Sequence, residues 1–193
     1  MGSPKREFNA RFSSNLPTGT GEQELIPAQN GNSSDLVMKS DSMDLEGYLT
    51  RSGVWHRFLE KEETVHTADA SRTTGIDLNR ITKNLVCKTS KGGYALLAIP
   101  GDRRVNLQRA AEALNVGNVQ LLNFGEAEKV SGYPPGGTPS IHHKNPLEVV
   151  VDKSVLGQET VFCGGGTRGR LLELRTEDIL KLTKAITADI SER

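Results

Sequence analysis

Ile81-Thr82-Lys83-Asn84-Leu85-Val86-Cys87-Lys88, followed by Ser90-Lys91-Gly92-Gly93 and then Tyr94-Ala95-Leu96-Leu97-Ala98-Ile99, is the stretch on which the fold of this chain turns. Two apolar runs flank a short polar segment ending in two glycines, the pattern of a β-hairpin. It predicts antiparallel strands over Ile81–Lys88 and Tyr94–Ile99.

Working outward, helices and further strands alternate irregularly around this hairpin. Asp44 is a plausible N-cap for a helix carrying Leu45, Tyr48 and Leu49 and ending at Gly53. Val54–Leu59 reads as a short strand, and Thr67 opens a helix as its N-cap, with Asp69 in the first turn and Gly75 closing it. Beyond the hairpin, Asn106 caps a helix over Leu107–Leu114, Val119–Leu122 is a strand, and Gly125–Val130 a short helix. Val149–Val151, Val161–Cys163 and Leu171–Leu174 are apolar runs bounded by turn residues and predict more strands of one mixed sheet. Thr176, with Glu177 and Asp178 behind it, starts a final helix expected to carry Ile179, Leu180, Leu182 and Ile186. Strands interrupted by helices of unequal length point to an α+β fold, a mixed central β-sheet with flanking helices, and not to regular βα repeats.

Residues 1–43 are rich in Ser, Asn, Gly, Pro, Thr and Gln, with apolar residues only in isolated pairs such as Leu25-Ile26. Such a segment cannot bury enough surface to offset its ordering entropy, and is expected to be a disordered N-terminal tail preceding one domain over 44–193. Lys plus Arg and Asp plus Glu each number 24, which excludes the gross basic excess of a nonspecific nucleic-acid binder. A nucleic-acid partner would need a local patch; Arg103, Arg104, Lys88, Lys91, Arg168 and Arg170 are candidates. Cys87 and Cys163 are the two cysteines, each inside an apolar run, and fit buried thiols in a reducing compartment. No run approaches the roughly 20 apolar residues of a membrane span. Lys5, Arg6 and Glu7 have no apolar core behind them, as a secretory signal requires, so the expected location is the cytoplasm.

The chemistry concentrates in Gly132-Tyr133-Pro134-Pro135-Gly136-Gly137-Thr138-Pro139-Ser140-Ile141-His142-His143. Pro fixes φ while Gly permits close backbone approach, so this loop is stiff and able to aim bare N–H groups at a ligand. A second cluster, Gly164-Gly165-Gly166, precedes a strand and lacks the Gly-Lys-Ser/Thr ending of a phosphate loop; it reads as a hairpin turn edging a pocket. A Gly-x-Ser-x-Gly elbow is absent, and neither cysteine sits where its pKa would fall. His142-His143 could bind metal only with a third ligand, and His56 and His66 supply no recognised spacing. His143 is either a proton carrier lining the pocket or a solvent-facing loop residue. Asp152, after Val149-Val150-Val151, is either a carboxylate aimed at a substrate amine or a turn residue at a strand end. For Lys83 the charge pattern alone favours a lysine in solvent.

Taken in order, Thr67-Ala68-Asp69-Ala70, Ile81 through Val86 with Lys83, Leu97 through Asn106, Gly132-Tyr133 through Gly136-Gly137, Val149 through Asp152, and Gly164-Gly165-Gly166 resemble the YbaK/ProX family. These are free-standing relatives of the bacterial prolyl-tRNA synthetase editing domain, and the likeness runs from about Leu45 to Ala185. Ser140 stands where bacterial members usually have Pro, with Pro139 one position earlier, as in archaeal-type members. The resemblance implies a trans-editing aminoacyl-tRNA deacylase that hydrolyses the ester of a mischarged small amino acid, Cys or Ala, most often on proline tRNA. It implies catalytic roles for Lys83, Gly136 and Gly137, substrate contacts from Thr67, Thr138, His143, Asp152, Gly164 and Gly165, and neither metal nor organic cofactor. It also implies an aminoacyl-tRNA partner and leaves room for a synthetase. The other reading is a noncatalytic module that senses an amino acid, an aminoacyl end or a synthetase with the same pocket.

Overall fold

The computed structural model describes residues 44–193 and the backbone of Phe12–Ser13. That pair is a two-residue strand, β1; the rest of the segment expected as a disordered tail lies outside the described residues. Helix α1 (Leu45–Ser52) begins where the Asp44 carboxylate accepts from the Gly47 N–H at 2.9 Å. It stops at Gly53, whose φ of 64° is left-handed and free of penalty for glycine. Leu45 and Leu49, one turn apart, are its buried face. Strand β2 (His56–Glu60) leads to α2 (Thr67–Thr74), which Gly75 ends. His66, not Thr67, holds the cap position; Thr67 is the first helical residue.

The hairpin forms as expected, β3 (Thr82–Thr89) against β4 (Tyr94–Pro100), with Lys83 opposite Ile99 and Cys87 opposite Ala95. Next come β5 (Arg104–Val105), α3 (Leu107–Ala113) capped by Asn106, β6 (Val119–Leu121) and α4 (Phe124–Ser131). Then follow β7 (Glu148–Asp152), β8 (Thr160–Gly164), β9 (Arg170–Arg175), α5 (Thr176–Thr183), β10 (Ile186–Ala188) and β11 (Ser191–Glu192).

The mixed sheet has the order β10-β7-β4-β3-β6, with β4, β7 and β10 parallel and β3 antiparallel to its neighbours. The strands at Val161–Cys163 and Leu171–Leu174 do not join it. They make a second, antiparallel sheet of order β1-β2-β9-β8, tied to the first by a parallel bridge between Ile81 and Phe162. Side-chain alternation explains the need for both. Val86, Leu96, Ala98, Val149 and Val151 share a core with Cys163, Leu172 and Leu174 of the second sheet. Their neighbours Cys87, Ala95, Leu97, Ile99 and Val150 point the other way, into a core with Ala110 and Ala111 of α3 and its C-cap Leu114. A hairpin apolar on both faces therefore needs a cover on each. Every fully buried Leu here contributes about 1.5–3 kcal/mol relative to exposure.

Ile186 is not on the last helix. Lys184 turns left-handed at φ 51°, ending α5, and Ile186 then pairs in parallel with Val150 at the sheet edge. Helical spacing alone could not separate these outcomes, because Ile186 falls one turn after Leu182.

Candidate active site

Strand β3 meets two different neighbours along its outer edge. Cys87–Thr89 pair with β6, and the Val86 carbonyl accepts from the Leu122 N–H at 3.0 Å, after which β6 has ended. Main-chain groups alternate sides along a strand, so the N–H and C=O of Asn84 face the same edge as those of Val86, past the last residue of β6. A cavity of about 300 Å³ opens there, lined by Thr82, Lys83, Asn84, Leu85 and Val86 of β3. Thr64–His66 with Thr67 and Ala70 of α2 make one wall, and Tyr133, Pro135, Gly136 and Thr138 of the Gly/Pro loop another. Leu121, Leu122, Phe124 and Ala127 close the third side.

Glycine is required where three chain segments meet behind this hollow. Gly136 has φ 83°, and a Cβ there would stand 2.3 Å from the Thr64 carbonyl oxygen. A Cβ on Gly164 would lie 2.3 Å from the Gly137 carbonyl carbon and 2.5 Å from the Thr138 nitrogen. Both contacts are with backbone, which cannot swing aside as a side chain can.

Of the residues expected in the site, Thr67, Lys83, Gly136, Thr138 and Gly164 line the one hollow. Gly137 does not: its N–H donates to the Pro134 carbonyl at 2.8 Å and its carbonyl accepts from Gly166, so it braces the turn. The donors available for an oxyanion are instead the N–H groups of Gly136 and Thr138, which have no partner among the described residues. Gly165 closes the β8–β9 hairpin, its N–H on the Arg170 carbonyl at 2.9 Å, and stays outside the cavity lining.

Lys83 leaves β3 on the face of Leu85 and Cys87, and its Nζ donates to the Arg103 carbonyl at 2.6 Å. Two of its three donors remain. Burial pulls its pKa below the ordinary lysine value; Asp102 opposes that and Arg104 adds to it. Asn84 points to the opposite face, where its Nδ2 donates to the Thr138 carbonyl at 2.9 Å and its Oδ1 accepts from Ser140 Oγ at 3.1 Å. Sequence reading missed Asn84, whose only signal was its place beside Lys83 on a half-covered strand. It also missed Tyr133, His66 and Phe124 as lining residues.

His143 does not line the cavity. Its Nε2 lies 3.0 Å from the Pro139 carbonyl, which can only accept, so that nitrogen holds the proton and the ring fastens the loop from behind. Burial pushes its pKa down to about 4, keeping the ring neutral near pH 7. His142, at φ 56°, stacks on Tyr48 with ring centroids 4.3 Å apart and meets the Tyr133 hydroxyl at 3.0 Å through Nδ1.

Asp152 is fully buried and outside the cavity lining. Its Oδ1 accepts from the N–H of Ser154 at 2.9 Å and from the Ser154 hydroxyl, and its Oδ2 accepts from the Ile190 N–H at 2.8 Å. Desolvation works to raise its pKa, but the bonds from Ser154 and Ile190 prevail and hold it below the usual carboxylate value. The carboxylate therefore locks the C-terminal segment to β7 and does not orient a substrate amine.

Neither cysteine lines the hollow, and burial raises both thiols to about 11. Among the described residues no three of His, Cys, Asp or Glu are placed to hold a metal, and no helix is long and apolar enough to cross a membrane. The cavity is lined by Lys83, by Gly136 and Thr138 with their unpaired N–H groups, by the β3 segment beyond β6 and by apolar side chains.

Comparison with known proteins gives a consistent pattern. The sequence model of the aminoacyl-tRNA editing domain matches residues 61–182. An Enterococcus faecalis protein named "Putative Cys-tRNA(Pro)/Cys-tRNA(Cys) deacylase EbsC" is 28% identical over 138 residues, 72% of this chain and 84% of that protein. The proline-tRNA ligase of Cupriavidus necator is 30% identical over 112 residues, 56% of this chain but 19% of the ligase. Among solved structures, hypothetical protein APE2540 aligns with a TM-score of 0.71 at 31% identity, covering 76% of this chain and 98% of the other. A crystal structure described as "a putative trans-editing enzyme for prolyl tRNA synthetase" aligns with a TM-score of 0.68 at 28% identity, covering 77% and 94%.

Proposed function

This chain belongs to the aminoacyl-tRNA editing domain family, and from that premise we propose that it is a trans-acting deacylase that hydrolyses a mischarged small amino acid, Cys or Ala, from tRNA, with proline tRNA as its leading substrate. The observation that carries this reading is that Lys83, Gly136 and Thr138 all belong to the lining of one apolar-walled hollow that no thiol lines.

An aminoacyl ester is already activated, so positioning and oxyanion stabilisation are the main needs. The acyl carbonyl oxygen accepts from the N–H groups of Gly136 and Thr138. Water adds to the carbonyl carbon, the ester C–O bond breaks, and the ribose oxygen leaves with a proton, giving free amino acid and intact tRNA. Lys83 supplies a fixed positive charge to the ester or to the acceptor-end phosphate, held in place by Arg103. Asn84 keeps the Thr138 peptide aimed through its two side-chain bonds. The walls of the hollow, not a charged group, sort amino acids by size, which suits a small side chain. Two buried thiols fit a reducing compartment, and the cytoplasm is the proposed place of action.

The test is a panel of mischarged tRNAs, cysteinyl and alanyl on proline tRNA among them, incubated with purified protein. Release of a small amino acid that depends on Lys83 is expected. Ligand protection of the fold with every ester left intact would favour the noncatalytic sensing module instead.

A further inference from the structure

Phe124 is exposed to 60%, more than any other large apolar side chain among the described residues, and Leu121 close by is exposed to 38%. Single exposed apolar residues are ordinary on protein surfaces. These two are not independent, because both line the hollow, and their exposure puts them at its mouth.

The backbone beneath the ring is held on both sides. Leu122 is bonded to Val86 of β3, and Asn123 and Glu126 form a reciprocal capping box that fixes the first turn of α4, where Phe124 is the first residue. A largely exposed aromatic side chain is thus carried on a backbone tied down on both sides.

Cavity size says what should cover it. At about 300 Å³ the hollow is at the lower end of small-molecule sites, which run roughly 300–1,000 Å³. An aminoacyl ester with its ribose fills such a space, and the purine on that ribose is left at the opening. We infer that Phe124 is the platform on which the terminal base of the acceptor strand stacks, a substrate contact that rests on the deacylase reading above. Stacking on an aromatic face suits this position because it needs no polar partner from the protein and no enclosed pocket.

The experiment uses alanyl- and cysteinyl-adenosine analogues in which an amide replaces the 3′ ester, and base-free counterparts with a methyl group in place of the purine. Affinities are measured by calorimetric titration of the full chain and of Phe124→Ala, Phe124→Leu and Phe124→Trp. The adenosine analogue should bind Phe124→Ala and Phe124→Leu roughly tenfold or more weakly, while Phe124→Trp keeps the affinity. The base-free ligand should bind all four proteins alike. Equal affinity of the adenosine analogue for wild type and Phe124→Ala, or no binding to wild type, overturns the inference. So does an equal loss on the base-free ligand, which would make Phe124 a wall of the hollow. Slower tRNA turnover with unchanged analogue affinity overturns it too, and points to a contact with the tRNA body or a protein partner. Wild type that binds the analogue through Phe124 yet leaves every mischarged ester intact sinks the deacylase reading alone.

Discussion

Lys83 and Asp152 both sit on strands of one mixed sheet, both were expected in one site, and the fold gives them opposite duties. Lys83 lies where β3 has lost its outer neighbour, among the residues that line the hollow, and its ammonium, bonded to the Arg103 carbonyl, keeps two donors. Asp152 lies at the end of β7, between β4 and β10, and its oxygens are engaged by Ser154 and Ile190. A charge at an unfinished sheet edge remains available to a ligand. A charge at a sheet interior is tolerated only when the chain itself satisfies it, and it then becomes a fastening.

That contrast can be broken most directly at Lys83. Lys83→Ala should lower deacylation about 100-fold or more, as loss of a preorganised charge or oxyanion donor does. Its melting temperature should stay within a degree or two, since the change lies in the hollow and not the core. Rate and melting curve together decide it; a large drop in melting temperature would make Lys83 a second fastening. Gly164→Ala should cost both, because its Cβ would collide with the Gly137–Thr138 peptide. We expect about 1–3 kcal/mol of stability lost in a denaturant titration, with turnover reduced along with the displaced donor.

Asp152→Ala should invert the Lys83 result. Losing charged bonds to the buried Ile190 N–H and the part-buried Ser154 N–H costs roughly 2–4 kcal/mol, measured by urea unfolding, while KM of the folded fraction stays near wild type. The pH dependence has a defined sign. Because the folded pKa of Asp152 lies below its unfolded value of about 3.8, its contribution is present above that pH and fades as pH falls toward the folded pKa. Asp152→Asn should flatten that acid limb of the stability curve. Asn84→Ala, touching the hollow through the Thr138 loop, should slow turnover by about tenfold with a smaller loss of stability, on the order of 1 kcal/mol. The smallest effect is expected at His143: with its pKa near 4, the pH–rate profile between pH 5 and 8 should keep its shape in His143→Gln. A lost inflection near neutrality would return that ring to the chemistry.

Much of the fold was legible in the chain because it rests on local rules. Asp44, Asn106, Gly53 and Gly75 mark helix ends by capping chemistry, and Gly92-Gly93 marks the hairpin by its turn requirement. What was misread depended on partners distant in sequence. Nothing local distinguishes Leu171–Leu174 as a strand of the second sheet, since both sheets bury the same apolar types. Ile186 matched a helical stripe until the left-handed Lys184 and the free edge of β7 drew it into a strand.

For the site, the sequence by itself determined the ingredients: a lysine within a hairpin strand, a stiff Gly/Pro loop, and glycines able to pack backbone on backbone. Tertiary structure alone decided which of them meet. It withdrew Gly137, Gly165, His143 and Asp152 from the cavity by engaging them in turns, a loop fastening and a C-terminal lock, and it brought in Asn84, Tyr133 and Phe124. The physical reason is that residue type specifies which bonds a group can make, whereas only the folded chain specifies which of those bonds are already taken.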